Sequence, residues 1–270
     1  MTQEERGARR DPPGPRRFAG GVLPWILGRL REGPLHLTLL DPEKLSGTAA
    51  ARLAQEAARR GSDGILLGGS TGIGPSLMDE TARAIRGSVS CPVVVFPQGP
   101  ESLTREADAL FFMSLLNSRD LDFVIRTQAR SALWVRRSGL EPIPVGYLVV
   151  APGMRVGEVG RADLLPRSDP ERACGYALAA QYLGMRLVYL EAGSGAPDPV
   201  PPDLVRAVAG VLEIPLIVGG GIRTAGDAKK LLEAGANILV TGTLVEQGGL
   251  EVLAQILGEV RKHRGERPPP

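Results

Sequence analysis

YALAAQYLGMRLVYLEAGSGAP (176–197) contains one complete step of the fold. Its first half continues a helix that Asp169-Pro170 opens, a capping side chain followed by proline at the first helical position, and that Gly184 closes. An apolar run, RLVYLEA (186–192), follows at once, and the chain then turns on Ala192-Gly193-Ser194-Gly195. The run is continuously apolar rather than alternating, as in a parallel strand buried on both faces. The same step recurs in both directions. Downstream lie PLIVGG (215–220), a helix capped by Thr224-Ala-Gly-Asp227 and ended by Gly235, and NILVTG (237–242). Upstream lie LHLTLL (35–40), GILLGG (64–69), CPVVVF (91–96), ALFFMSLL (109–116) and IPVGYLVV (143–150), with helical patterns over 46–60, stopped by Gly61, and over 119–137. Eight such units in about 230 residues predict an α/β protein of the (β/α)8, or TIM, barrel class. A doubly wound open sheet is the alternative, and it gives no reason for eight similar units. The segment after Pro97 carries only a weak helical pattern, so one of the eight helices is expected to be irregular or missing. A short amphipathic piece, 24–31, is placed to close the barrel floor.

Composition agrees. The 270 residues are 43% apolar and 23% charged, which excludes a disordered chain, and they suffice for one large core. Thirty-five glycines and 23 prolines exceed the average share without reaching that of low-complexity sequence. A net charge of +2 is too balanced for a dedicated nucleic-acid binder. Only four of the 32 basic residues are lysines. Cys91 and Cys174 form neither a disulfide framework nor a zinc site. No apolar run is long enough to span a membrane, and residues 1–20 lack the apolar stretch of a signal peptide, so a cytoplasmic location is expected. Residues 1–19 are Pro-rich with five arginines and read as a mobile tail, residues 20–263 as a single barrel, and 264–270 as a second tail. The basic arm allows peripheral membrane contact at most.

In a barrel of this class the chemistry belongs at the carboxyl ends of the strands. The glycine-rich turns Gly219-Gly220-Gly221 and Gly242-Thr243, after the seventh and eighth strands, expose backbone N–H groups suited to a phosphate. Asp41, ending the first strand, and Ser70, after the second, form the sparse oxygen set that Mg²⁺ accepts when substrate phosphate and water complete its shell. Asp41 alone reads more readily as a turn or N-cap residue ahead of Pro42. Glu191, between a strand and a flexible loop, suits a general base acting on a hydroxyl, and Tyr189 faces the same side. Leu66, Leu67, Ile73, Leu77, Phe96 and Phe111 to Met113, with Leu115 and Leu116, pack a core or line an apolar groove on one flank. His36 and His263 lie away from the strand ends, so histidine-based catalysis is not expected.

At these residues the sequence resembles the geranylgeranylglyceryl phosphate synthase family, prenyltransferases of archaeal ether-lipid assembly. LHLTLLDPEK (35–44), SDGILLGGSTG (62–72), LFFMSLLNS (110–118), EPIPVGYLVV (141–150), the opening stretch 176–197 and IVGGGIR with AKKLLEAGANILVTGTLVE (217–246) carry the resemblance in order. The larger of the family's two groups is the closer match, which implies a homo-oligomer. The resemblance further implies that Asp41 and Ser70 bind Mg²⁺. Tyr189, Leu190, Glu191, Ala192, Gly193, Ser194 and Gly195, with Gly219, Gly220, Gly221, Gly242 and Thr243, hold sn-glycerol 1-phosphate in the family's pattern. Glu191 takes the role of the base, with Tyr189 beside it. Pro97-Gln98-Gly99-Pro100-Glu101 departs from the Pro-Gly-Ser type of turn expected there, a difference confined to the groove rim.

The implied reaction joins geranylgeranyl diphosphate to the C3 hydroxyl of sn-glycerol 1-phosphate as an ether and releases diphosphate. No nicotinamide, flavin or pyridoxal cofactor is called for. Three other readings stand beside it: the same chemistry with a longer donor such as heptaprenyl diphosphate, a phosphosugar isomerase, and a non-catalytic phosphate-binding barrel. The isomerase ordinarily wants a second acid at the end of the fifth strand, where Val149-Val150-Ala151-Pro152 supplies none.

Overall fold

In a computed structural model, which describes residues 17–69 and 74–265, each of the eight apolar runs forms a parallel strand. They are β1 (Leu35–Leu40), β2 (Gly64–Leu67), β3 (Val93–Val95), β4 (Ala109–Leu115), β5 (Glu141–Val149), β6 (Leu187–Glu191), β7 (Leu216–Gly219) and β8 (Ile238–Thr241). They pair in sequence order, and β8 returns to β1, closing the barrel. Alternate residues divide between two layers. Leu37, Leu66, Phe111, Val145, Tyr189 and Ile217 fill the interior, whereas Leu67, Leu110, Leu148, Leu190, Val218 and Leu239 meet the helices outside. Both faces are dry, which is why the strands are apolar without interruption.

The helices are α1 (Val22–Leu30), α2 (Gly47–Arg60), α3 (Pro75–Ser88), α4 (Thr127–Ser138), α5 (Met154–Val159), α6 (Pro170–Tyr182), α7 (Pro202–Val211), α8 (Ala225–Glu233), α9 (Thr243–Glu246) and α10 (Leu250–Gly265). The caps act as the sequence predicts. Asp169 accepts from the Arg172 N–H, Thr224 and Asp227 form a reciprocal box, and Gly61 ends α2 in the left-handed conformation. α1 closes the floor, with Val22 and Ile26 in the interior core and Glu141 accepting from the N–H groups of Val22 and Leu23. β3 is followed by a single 3-10 turn, Pro100–Ser102, in place of a helix. The helix expected over 119–137 begins later. Hydroxyl and carboxylate turns at Ser118 and Asp120 hold the chain, a π-helical turn follows at Asp122–Arg126, and only then does α4 start.

Packing contacts reach into both expected tails. Residues 1–16 and 266–270 lie outside the described residues, but Arg17 donates to the carbonyls of Arg86 and Val89, and Phe18 packs edge-on against Trp25. At the other end α10 runs to Gly265, and Arg264 donates to the Pro34 carbonyl and pairs with Asp63. His36 is buried outside the barrel wall, between the hydroxyls of Ser62 and Thr241. Burial, reinforced by the Arg264 guanidinium, lowers its pKa to about 3, so it is a neutral structural residue. Among the described residues no helix is long and apolar enough to cross a membrane.

Candidate active site

Glu191 is the last residue of β6, and strand alternation turns its side chain inward with Leu187 and Tyr189. The carboxylate is buried and held from two sides. The Gly193 N–H donates to Oε1 at 2.6 Å, and the Tyr147 hydroxyl donates to Oε2 at 3.2 Å. Burial raises its pKa, an effect that these donors and the Tyr189 hydroxyl only partly oppose. Burial and the neighbouring carboxylate hold both phenols well above their ordinary pKa, so they remain protonated donors. Phe96 lies edge-to-face against Phe111, Tyr147 and Tyr189, and the two tyrosine rings are 5.1 Å apart. This aromatic layer forms a rigid floor under the carboxylate.

The glycines after β7 serve the protein's own side chains. A Cβ on Gly219 would collide with the Tyr189 hydroxyl, and one on Gly220 with Glu191 Oε1 and the Gly193 N–H. Gly220 also lies at φ +80°, open to glycine and few other residues. The sequence pattern suggested a phosphate turn, and the same glycines also admit the side chains of Glu191 and Tyr189. The three loops are laced together. Ser194 Oγ lies 2.7 Å from Thr243 Oγ1, and Arg223 donates to the Gly195 carbonyl.

Asp41 directly follows β1 and is buried. Oδ1 accepts from the Glu43 N–H, the turn role that the sequence allowed, while Oδ2 lies 3.7 Å from Lys44 Nζ. Glu246, in α9, accepts from the Asp41 N–H at 3.0 Å and from Lys44 Nζ at 2.8 Å. Burial raises the Asp41 pKa. Gly69 abuts the Asp41 carboxylate so closely that any Cβ would overlap it. Ser70 lies outside the described residues.

One cavity of about 450 Å³ joins these groups. Asp41, Lys44, Glu191, Ser194, Thr243 and Glu246 line its polar end, and Gly242 also lies on the wall. Phe96, Leu103, Leu110, Phe112, Met113 and Phe123 line its apolar end. That end lies where no helix follows β3, and there Phe112 on the outer face of β4 is only partly buried, beside the buried Leu110. Of the expected groove residues, Phe96, Phe112, Met113 and Leu115 line the cavity. Leu66 and Phe111 belong to the interior core, Leu67 and Leu77 to the outer layer, and Leu116 packs against the β5–β6 side. Ile73 lies outside the described residues.

The expected site residues therefore divide. Glu191, Ser194, Gly242, Thr243 and Asp41 share one wall. Tyr189, Gly193, Gly219 and Gly220 pack behind Glu191. Leu190 and Ala192 are turned outward into the helix layer, so only their backbone can serve a ligand. A metal here would find two carboxylates, Asp41 and Glu246. Among the described residues no cluster of three or more His, Cys, Asp or Glu is arranged to hold one. Few hard oxygen donors beside open space fit Mg²⁺, whose shell is commonly completed by substrate and water. Tyr147, Lys44 and Glu246 also line this cavity, and motif reading did not single them out. The signal for Tyr147 was the Tyr-Leu pair shared by β5 and β6, which the strand register sets opposite each other.

The fold and site define a class, the (β/α)8-barrel enzymes that act at the carboxyl ends of their strands. Within it the PcrB family profile matches residues 28–260, and the chain belongs to that family. It is 51% identical over 230 residues, 85% of its own length and 91% of the relative's, to geranylgeranylglyceryl phosphate synthase of Thermococcus gammatolerans. To the protein of that name from Pyrococcus horikoshii it is 49% identical over 243 residues, 90% of this chain and 93% of the other. The crystal structure of (S)-3-O-geranylgeranylglyceryl phosphate synthase from Thermoplasma acidophilum, in complex with substrate sn-glycerol-1-phosphate, superposes with a TM-score of 0.87 at 46% identity, covering 90% of this chain and 99% of that one.

Proposed function

We infer that this chain is a prenyltransferase that joins sn-glycerol 1-phosphate and geranylgeranyl diphosphate through an ether bond and releases diphosphate. The observation that carries the inference is the single cavity with Glu191 at its polar end and an apolar flank at the other. One substrate is a small polar phosphate and the other a hydrocarbon with an anionic head. The cavity offers a compartment to each.

The glycerol phosphate lies against the β6–β8 loops, with its phosphate near Ser194, Gly242 and Thr243 and its hydroxyls toward Glu191. The isoprenoid lies along Phe96, Leu110 and Phe112, and burying it contributes about 0.8 kcal/mol per CH₂-sized unit. Its diphosphate points to the Asp41 wall. Mg²⁺, held by Asp41 with Ser70, would supply the charge that lets the diphosphate leave. As the allylic C–O bond breaks, the C3 hydroxyl forms the new C–O bond and its proton passes to a Glu191 oxygen. The raised pKa of Glu191 suits that transfer, because a base works best with a pKa near the working pH. Tyr147 and Gly193 fix which carboxylate lone pairs face the hydroxyl.

The test mixes the full chain with Mg²⁺, labelled sn-glycerol 1-phosphate and prenyl diphosphates of several lengths, followed by butanol extraction. Label enters an ether-linked lipid phosphate most efficiently with the C20 donor. Absence of such a product with every donor removes the assignment, and preference for a much longer donor keeps the chemistry while changing the substrate.

A further inference from the structure

The cavity wall has an imbalance of charge. Among the described residues lining it, Asp41, Glu101, Asp120, Asp122, Glu191 and Glu246 are acidic, and Lys44 is the one basic side chain. Asp120 and Asp122 pair with Arg161 and with Arg126 and Arg130, which do not line the wall, but Asp41, Glu191 and Glu246 at the polar end face a leaving diphosphate of two to three negative charges and repel it unless cations intervene. Lys44 is placed to be one. It follows Asp41 by three residues, its side chain is about half exposed, and its ammonium sits 2.8 Å from Glu246 Oε2 and 3.7 Å from Asp41 Oδ2. Two carboxylates share one ammonium, which leaves this trio with a net negative charge. The two carboxylates are largely buried while the ammonium reaches the open cavity, so a ligand can meet Lys44 without any opening of the fold. Lysine is also the rarer choice in a chain where only four of 32 basic residues are lysines. Its compact charge on a flexible stem can turn from one anion to another, which a forked guanidinium does less readily.

We propose that Lys44 is a diphosphate-binding residue, held on Glu246 as observed and transferred to the diphosphate oxygens when the prenyl substrate binds. Glu246 is then a positioning residue with two tasks. Its Oε1 fixes the Asp41 backbone across the β1–β8 seam, and its Oε2 keeps the ammonium at the cavity wall. The proposal rests on the prenyltransferase reading above and adds a direct protein contact to the leaving group.

The test is calorimetric titration of the full chain with inorganic pyrophosphate, with and without Mg²⁺ at fixed concentration, alongside titration with sn-glycerol 1-phosphate. Losing one charge-assisted contact predicts that Lys44→Gln weakens pyrophosphate about tenfold or more and flattens its salt dependence. Glycerol phosphate affinity and melting temperature stay at their wild-type values. Lys44→Arg recovers most of the loss. Glu246→Gln keeps an oxygen for the Asp41 N–H but releases the ammonium, so it tightens pyrophosphate severalfold. These opposite signs are not expected of a pair that merely ties two loops together. Unchanged pyrophosphate affinity in Lys44→Gln, or weakening in both variants, overturns the proposal. If the wild-type chain still makes ether lipid in that case, the prenyltransferase reading survives. A wild-type chain that binds no pyrophosphate and makes no lipid removes both.

Discussion

The two ends of the cavity are made in different ways. The polar end is made by strand termini. Glu191, Asp41 and the turns after β7 and β8 sit where the closed sheet puts them, and each carboxylate is held by a backbone N–H from its own following turn. The apolar end is made by an omission, the missing helix after β3, and its walls come from strand faces that would otherwise be covered. A position set by the barrel is specified to a few tenths of an ångström, whereas a space left by an absent element is specified only in shape and polarity. Substitutions should therefore cost far more at the first end than at the second.

The largest effect is expected at Glu191. With Glu191 as the proposed base, Glu191→Gln preserves shape but takes up no proton, so turnover should fall by about 10²–10⁴-fold with little change in glycerol phosphate affinity. The same variant separates function from stability. The folded-state pKa of Glu191 is raised, so between the ordinary glutamate pKa and that raised value the folded chain binds more protons than the unfolded one. Wild-type stability then falls as pH rises through that window, and the cost persists above it. Glu191→Gln should accordingly melt higher than wild type at neutral pH, with the advantage vanishing below the ordinary glutamate range. Thermal melts at several pH values decide this, and equal melting temperatures throughout would refute the burial argument.

Next comes Gly220→Ala. The added methyl group meets Glu191 Oε1 and the Gly193 N–H from a backbone at φ +80°. It should destabilise the fold by about 1–3 kcal/mol and, by displacing the carboxylate, lower turnover about a hundredfold. A fully active, equally stable variant would mean that the glycine is not needed to admit the base.

Tyr147→Phe is milder. It removes one donor to the charged form of Glu191, so the base pKa rises further and the acid limb of the pH–rate profile moves to higher pH. The loss at neutral pH should be about tenfold and partly recovered at alkaline pH. A loss independent of pH would assign Tyr147 to the substrate rather than to the base.

The same contrast explains what the sequence made legible. Strands and caps were readable because local rules set them: continuous apolar runs, Asp169-Pro170, the Thr224 box and Gly61. Glu191 was readable as a candidate because a carboxylate stands between an apolar strand run and the Ala192–Gly195 loop. Glu246 was not, because only barrel closure brings it to Asp41, some 200 residues away in the chain. The roles of Gly219 and Gly220 were half legible, since a glycine run announces close approach without saying what approaches. The late start of α4 depended on side-chain turns at Ser118 and Asp120 that helical periodicity does not register.

The smallest effect is expected at the apolar end and is the sharpest check on the contrast. Phe112 projects from β4 into the space that a helix would otherwise occupy, and no hydrogen bond or charge depends on it. Phe112→Ala removes apolar contact along the isoprenoid but leaves Glu191, Asp41 and Lys44 in place. The neighbouring Leu103, Leu110 and Met113 keep the wall apolar. The Michaelis constant for the prenyl diphosphate should rise about fivefold, with kcat and the glycerol phosphate constant nearly unchanged, because contacts made equally in ground and transition states affect binding alone. Steady-state kinetics with each substrate varied in turn would measure this. A fall in kcat comparable with that of Tyr147→Phe would mean that the apolar flank also aligns the reacting carbon and that the omission after β3 is specified as closely as the strand ends.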